Sequence, residues 1–269
     1  MGKKYKAMQK SYAQDIVRSH DYNRYLVSLF AKSYTQKQAL WAIYAFNYEI
    51  ARTREIVSDT TIGLIRLTWW RDALKSIYGM PTEHKRSLDD HPILPELADA
   101  INDFTLPYDY FDELLLGREF DLEDLQPETL DGLITYIQNT NGPLLKLTAL
   151  ITGADQSVID PLALANGLSG ILRAIPFHAQ HNIVMLPAAM ISKDAVLTAE
   201  TKQLQPCVKD IAAAAQNALS NLNTPLKGPL KALKKLTQLE LNQMAKCGYD
   251  LRNKKFQQKI PFLAFRMGF

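Results

Sequence analysis

Two histidines three positions apart, His178 and His181, have the residue type and spacing of a metal-binding pair. On one turn of a helix, two imidazoles can share a Zn²⁺ ion, which normally takes four ligands. The sequence supplies no evident third ligand. We therefore expect a structural pair and keep zinc binding as the weaker hypothesis.

The sequence contains no motif for nucleophilic or nucleotide-dependent catalysis. There is no Gly-x-Ser-x-Gly segment, no phosphate-binding loop and no dinucleotide fingerprint. The two cysteines, Cys207 and Cys247, are 40 positions apart in the 269-residue chain and lack a metal-binding spacing. They indicate a reducing compartment and no catalytic thiol.

Charge is unevenly distributed along the chain, although the formal net charge is only +3. Residues 83–131 contain 15 acidic and 3 basic side chains, whereas residues 201–269 contain 12 basic and 3 acidic ones. The small net charge gives no reason to expect a nucleic-acid partner. The two segments form either oppositely charged solvated faces or, in the basic part, a docking surface for an acidic partner or an anionic membrane.

Apolar residues recur at helical spacing along nearly the whole chain, which predicts one all-α domain over residues 1–269. The breaker-rich segment 79–95 is predicted to be a loop, and Pro176 is predicted to end or kink its helix. No run approaches the ~20 apolar residues of a membrane span. The predicted helices cover about residues 35–51, 62–77, 109–122, 127–138, 144–152, 160–171, 195–222 and 230–253.

Two local signals refine these predictions. Thr35 followed by Gln38 has the pattern of a capping box at the start of the first predicted helix. In the second predicted helix, Ile62, Ile65 and Trp69 share one face and are expected to be buried together with Ala73 and Ile77.

Several ordered segments resemble the squalene/phytoene synthase family of trans-isoprenoid synthases. They are YAFNYEIARTRE at 44–55, IRLTWWRDAL at 65–74, LLLGREFDL at 114–122, LITYIQNTNGPLLKLTALITG at 133–153 and GLSGILRAIPFHAQHNIVMLP at 167–187. The resemblance is strongest over residues 13–187 and fades in the basic C-terminal helices, 195–269. It implies an isoprenoid-synthase-like helical bundle around a central cavity, in a family that condenses two prenyl diphosphates head to head.

The sequence departs from this family at the positions that bind metal. The family resembles other isoprenoid synthases in having Asp-Asp-x-x-Asp and Asp-x-x-Glu-Asp motifs, whose carboxylates hold the Mg²⁺ ions that neutralise a diphosphate leaving group. Only one of the six carboxylates remains, which argues against metal-dependent ionisation. The first motif is replaced by Ala51, Arg52 and Glu55, and the second by Ala174, Phe177 and His178.

Arginines near these positions offer a different chemistry, because guanidinium groups bind phosphate and carboxylate without a metal. Either they line the cavity and bind an anionic lipid or prenyl-like ligand, or they pair with nearby acids such as Glu49, Glu55 and Asp72. The candidates are Arg52, Arg54, Arg66, Arg71 and Arg173.

The segment LRAIPFHA at 172–179 resembles a branch of the family that lacks the aspartates. The resemblance implies a non-catalytic scaffold or assembly factor for respiratory complex I that needs no cofactor. Its partner would be a complex I subunit or assembly intermediate, with peripheral membrane contact through the basic C-terminal region. The implied location is the bacterial cytoplasm, at or near the inner membrane, or the mitochondrial matrix in a eukaryote.

Two alternatives stay open at this point. One is a divergent prenyl transferase of the squalene/phytoene synthase type that uses Mg²⁺. The weaker one is a module that binds an anionic lipid or an isoprenoid, for which membrane association should fall with salt.

Overall fold

The computed structural model describes residues 11–57, 59–123, 125–198, 201–257, 260 and 263–267, and no strand occurs in these ranges. This confirms the prediction of an all-α fold. The helices, numbered in chain order, are α1 (Tyr12–His20), α2 (Tyr22–Ser28), α3 (Tyr34–Ala51), α4 (Thr53–Ile56), α5 (Thr60–Ile77), α6 (Ile93–Phe104), α7 (Tyr108–Asp121), α8 (Leu130–Thr140), α9 (Gly142–Thr152), α10 (Ile159–Gln180), α11 (Lys193–Leu197), α12 (Thr201–Ser220), α13 (Gly228–Lys246), α14 (Lys254–Gln257) and α15 (Leu263–Met267). Short 3₁₀ turns cover Leu88–Asp90 and Gln156–Val158.

The residue that caps the start of α3 lies earlier in the chain than predicted. The hydroxyl of Ser33 accepts a hydrogen bond from the backbone N–H of Gln36 at 3.1 Å, and the Gln36 side chain accepts one from the N–H of Lys32 at 3.0 Å. The Ser-x-x-Gln pattern at 33–36 therefore caps the helix, and the predicted box at Thr35 and Gln38 is wrong.

Some helices end at other residues than predicted, because the backbone conformation at the helix end, and not the spacing of apolar residues, decides where the helix stops. Helix α10 runs through Pro176 to Gln180, so this proline does not end it. Helix α13 ends at Lys246, seven residues before the predicted end, because Gly248 and Tyr249 adopt left-handed conformations with φ of 63° and 60°. The predicted loop 79–95 contains a 3₁₀ turn and the first residues of α6.

Two groups of buried side chains form the core. One centres on α3. Trp41 and Phe46 of this helix, together with Trp70 of α5, are among the largest fully buried side chains. The other centres on α10, which makes its most extensive contact with α12 and also packs on α8, α9 and α13. Helix α10 therefore has neighbours on several sides, and two of them, α8 and α13, contribute walls to the cavities described below.

The segment Gln156–Gln180, which contains α10, is long and apolar enough by length and composition to cross a membrane, contrary to the prediction from the sequence. Half of its apolar window is buried inside the molecule. A helix surrounded by other helices needs apolar residues on most of its circumference, so this composition fits a core helix.

The predicted apolar stripe of α5 is confirmed only in its second half, where Ala73 is buried and Trp69 and Ile77 pack against the core as partly buried side chains. Ile62 and Ile65, expected to be buried, are exposed, whereas Trp70 is buried. The turn of the helix that contains Gly63 faces α7, because a methyl group at Gly63 would lie 2.7 Å from the Leu122 side chain. Packing against α7 turns the two isoleucines toward solvent.

Candidate functional site

Two replaced motifs border one cavity of about 160 Å³. The end of α3 and the short α4 contribute Ala51, Arg54 and Glu55, and α10 contributes His178. The structure thus brings the surviving acid of the first motif to the same cavity as one position of the second. Arg52, Ala174 and Phe177 are not among the residues that line it.

A hydrogen-bonded network that the sequence did not predict forms another wall of this cavity. Arg118 on α7 contacts Asp121 at 3.1 Å and donates to the carbonyl oxygen of the Asn47 side chain at 3.3 Å. The Tyr136 hydroxyl on α8 donates to the other carboxylate oxygen of Asp121 at 2.6 Å. Burial, and then the negative charge of Asp121, raise the pKa of Tyr136, so the phenol stays protonated.

A second cavity of about 260 Å³ shares Arg118 and Tyr136 with the first. It is also lined by Arg24 from α2 and Arg173 from α10. Arg24 pairs with Asp21 at 3.4 Å and donates to the Asn141 side chain at 3.0 Å. Like Arg118, Arg24 therefore already has a carboxylate partner within the molecule.

Arg173 is held in the second cavity by Glu240 of α13. The Glu240 carboxylate is only 5% exposed and also accepts hydrogen bonds from Asn23 at 3.0 Å and from Ser169 at 2.9 Å. The Arg173 side chain lines this cavity and is 42% accessible, and partial desolvation lowers its pKa. All three arginines of this cavity are thus neutralised by carboxylates of the same chain.

The remaining predicted arginines lie outside these two cavities. Arg66 and Arg52 both pair with Glu49, at 2.7 and 3.6 Å, which agrees with the alternative that they bind nearby acids. Arg71 joins α5 to α7 through Asp112 at 2.7 Å and Glu119 at 2.9 Å. Of the five candidates, the structure brings only Arg54 and Arg173 to the walls of these two cavities.

The histidine pair is divided between the cavity and the surface. His178 lines the first cavity, its Nδ1 atom is buried without a hydrogen-bond partner, and burial lowers its pKa. His181 is exposed, and its Nδ1 atom lies 3.0 Å from the carbonyl oxygen of Phe177. Within the described residues, no group of three or more His, Cys, Asp or Glu side chains is arranged to hold a metal ion.

The donor set of the first cavity does not fit a cluster of Mg²⁺ ions. Its two carboxylates are those of Glu55 and Asp121, among the described residues that line it, and Asp121 is already bound to Arg118 and Tyr136. Arg54 and Lys193 add positive charge to the same wall. Magnesium prefers several free oxygen ligands, which these residues do not supply.

The squalene/phytoene synthase family profile matches residues 17–259. The chain belongs to this family. Two solved structures share the fold of this chain. A dehydrosqualene synthase in complex with a ligand aligns with a TM-score of 0.73 at 18% identity, covering 95% of this chain and 92% of that one. Squalene synthase HpnC from Alicyclobacillus acidocaldarius aligns with a TM-score of 0.72 at 19% identity, covering 88% and 93%.

The relatives of this squalene/phytoene synthase family member include proteins that are named as assembly factors. The mouse (Mus musculus) NADH dehydrogenase (ubiquinone) complex I, assembly factor 6 is 29% identical, with 94% of this chain and 78% of the mouse protein aligned. The human (Homo sapiens) protein of the same name is 28% identical over the same shares. A homologue in Dictyostelium discoideum is 24% identical over 66% of this chain and 49% of its own length.

The sequence motifs of this family member point to part of the site and not to the rest. Arg118 and Tyr136 were present in the segments LLLGREFDL and LITYIQNTNG that carried the family resemblance, so that resemblance was the signal that could have found them. Arg24 and Glu240 lay in segments without such a motif. Their positions follow only from the packing of α13 against both α2 and α10.

Proposed function

We propose that this protein is a non-catalytic member of the squalene/phytoene synthase family that acts as an assembly factor for respiratory complex I. The observation that carries the proposal is the pairing of Arg24, Arg118 and Arg173 with carboxylates of the same chain around the second cavity. A prenyl transferase needs its carboxylates free for metal and its cations free for diphosphate. The alignment of relatives named complex I assembly factor 6 over 94% of the chain supports the assembly role.

The exposed side of α13 is the proposed contact with a complex I subunit or assembly intermediate. Lys227, Lys231 and Lys235 are exposed at the start and along the first half of this helix. Glu240 is the sole acidic residue in the sequence of α13, and it is buried. A cationic surface of this kind attracts an acidic protein face or an anionic membrane.

The proposed location follows from the same function. In a bacterium the protein would act on the cytoplasmic side of the inner membrane, and in a eukaryote in the mitochondrial matrix. Both compartments are reducing, which agrees with two buried free cysteines in the described part of the chain.

The catalytic alternative is tested by diphosphate release from radiolabelled farnesyl and geranylgeranyl diphosphate with Mg²⁺. We expect no turnover by the wild type. A variant with Ala51→Asp, Arg52→Asp, Ala174→Asp, Phe177→Glu and His178→Asp, which restores the missing acids, is assayed beside it. Wild-type turnover that is lost in Glu55→Gln would overturn the proposal and establish a prenyl transferase.

The assembly role is tested in cells that lack this gene. We expect a loss of assembled complex I on native gels, with rescue by the wild type and equally by Glu55→Gln. The charge-reversed pair Lys231→Glu/Lys235→Glu should rescue poorly, whereas Lys202→Glu/Lys209→Glu, an equal charge change at exposed lysines of α12, should rescue fully. Normal complex I in the deletion strain contradicts the assembly role.

A further inference from the structure

An aliphatic ridge crosses the surface of the protein on the first half of α5. We define it by Ile62, Leu64 and Ile65, which are 56%, 41% and 64% exposed. Ile56 of α4 is exposed shortly before it in the chain. Exposed aliphatic side chains are ordinary when single, but three within four positions of one helix form an apolar patch.

The shape of this ridge is convex. At about 100° per residue, Ile62, Ile65 and Leu64 span about 160° of the helix circumference. Residues 60–65 include no charged side chain, and the exposed Thr61 and Thr68 fall within the same arc. The opposite side of α5 packs on the protein through Gly63 and Leu67. The apolar surface therefore projects outward on both flanks of the helix.

A cationic cluster borders the ridge. Arg66, one position after Ile65, and Arg52 share the carboxylate of Glu49, so these three side chains together keep one positive charge, and the carboxylate of Asp59 caps the start of α5. Both guanidinium groups are partly exposed, and that of Arg52 lies 5.3 Å from the centre of the Tyr48 ring. Aliphatic side chains flanked by arginine and tyrosine are typical of surfaces that enter the headgroup region of a bilayer.

We propose that the aliphatic ridge inserts into an anionic lipid surface, with Arg52 and Arg66 at the level of the phosphates. A bilayer deforms around a convex ridge, whereas a protein partner would need a complementary groove. The ridge itself also lacks the Trp and Tyr anchors that dominate protein–protein contacts. This inference goes beyond the proposed assembly role and assigns membrane contact to a surface other than the basic C-terminal helices.

The test is sedimentation of the purified protein with phosphatidylcholine vesicles, with and without phosphatidylglycerol. We expect binding that requires the anionic lipid and weakens as salt rises. Ile62→Gln/Ile65→Gln should reduce the partition coefficient about tenfold or more, because each buried isoleucine adds apolar area removed from water. Both positions are exposed, so circular dichroism and thermal melting should match the wild type.

Leu150→Gln is the matched control. Leu150 is exposed on α9, next to Ile151, whose carbonyl oxygen accepts a hydrogen bond from Gln36 at the start of α3. The ridge is tied through Arg66 to Glu49 near the end of α3, about 20 Å away along that helix. This control should bind vesicles as the wild type does.

The depth of insertion gives an independent readout. Cys207 and Cys247 are buried, so a thiol-reactive fluorophore can be attached selectively to Ile65→Cys. Spin-labelled lipid should quench the probe at position 65 and leave a probe at Leu150→Cys unaffected. Unchanged binding of the ridge variant, no binding of the wild type to anionic vesicles, or equal quenching at both positions would each overturn the inference. None of these results depends on complex I, so the assembly role is judged separately.

Discussion

Glu240 of α13 accepts a hydrogen bond from Arg173 of α10 inside the second cavity. The same carboxylate accepts hydrogen bonds from Asn23 on α2 and from Ser169, one turn before Arg173 on α10. One buried acid therefore joins three helices that are far apart in the chain. Because Arg173 directly precedes the replaced second motif, this contact also neutralises the cation beside that motif.

Replacing Glu240 should destabilise the protein strongly. Glu240→Leu leaves Arg173 without its counter-charge and removes an acceptor from Asn23 and Ser169, so we expect a loss of about 2–3 kcal/mol in the free energy of unfolding. The double variant Arg173→Leu/Glu240→Leu should recover about half of that loss, since no isolated charge remains. Urea unfolding measures both values, and a double variant that is less stable than the single one would contradict this account.

A pair of glycines on α10 provides a test of helix packing. A methyl group at Gly167 would collide with the Ile137 side chain of α8, and isoleucine adjusts poorly because it is branched at Cβ. Gly167→Ala should cost about 1–3 kcal/mol. Nothing lies within 4 Å of a methyl group at Gly170, so Gly170→Ala should be neutral or stabilise by up to about 1 kcal/mol. Thermal melting distinguishes the two, and equal effects would show that α8 and α10 are not in close contact.

Stability should decrease below neutral pH partly through His178. Burial lowers its pKa in the folded protein, so the unfolded chain binds this proton first as the pH falls below about 6.5. The stabilising contribution is fully present above that pH and is lost as the pH falls toward the folded pKa. His178→Gln should therefore show a smaller drop in the free energy of unfolding between pH 7 and 5.

His91 serves as the comparison for this pH effect. Burial lowers its pKa as well, and it lies in the aromatic cluster with Trp69 and Trp70. The double variant His178→Gln/His91→Gln should have a flatter pH profile than either single variant. An unchanged slope in His178→Gln would mean that its protonation does not oppose folding.

Much of the secondary structure could be predicted from local signals. The period of apolar residues predicted α5, α7 and α9 to within about two residues, because burial of one helix face requires that period. Backbone conformation outside the apolar pattern moved the end of α13, which stops before Gly248, and a hydrogen bond made Ser33 the cap of α3, whose predicted range was otherwise correct to within one residue.

The sequence by itself determined the helical class, the family and the loss of the metal-binding acids, since each depends on residue types at local spacing. The tertiary structure decided which charges meet and which apolar face stays exposed. Periodicity shows that Ile62 and Ile65 share a side of a helix, but the neighbouring helix α7 determines that this side faces solvent. Likewise, Arg173 and Glu240 are 67 positions apart, and only the packing of α10 against α13 brings the two charges together.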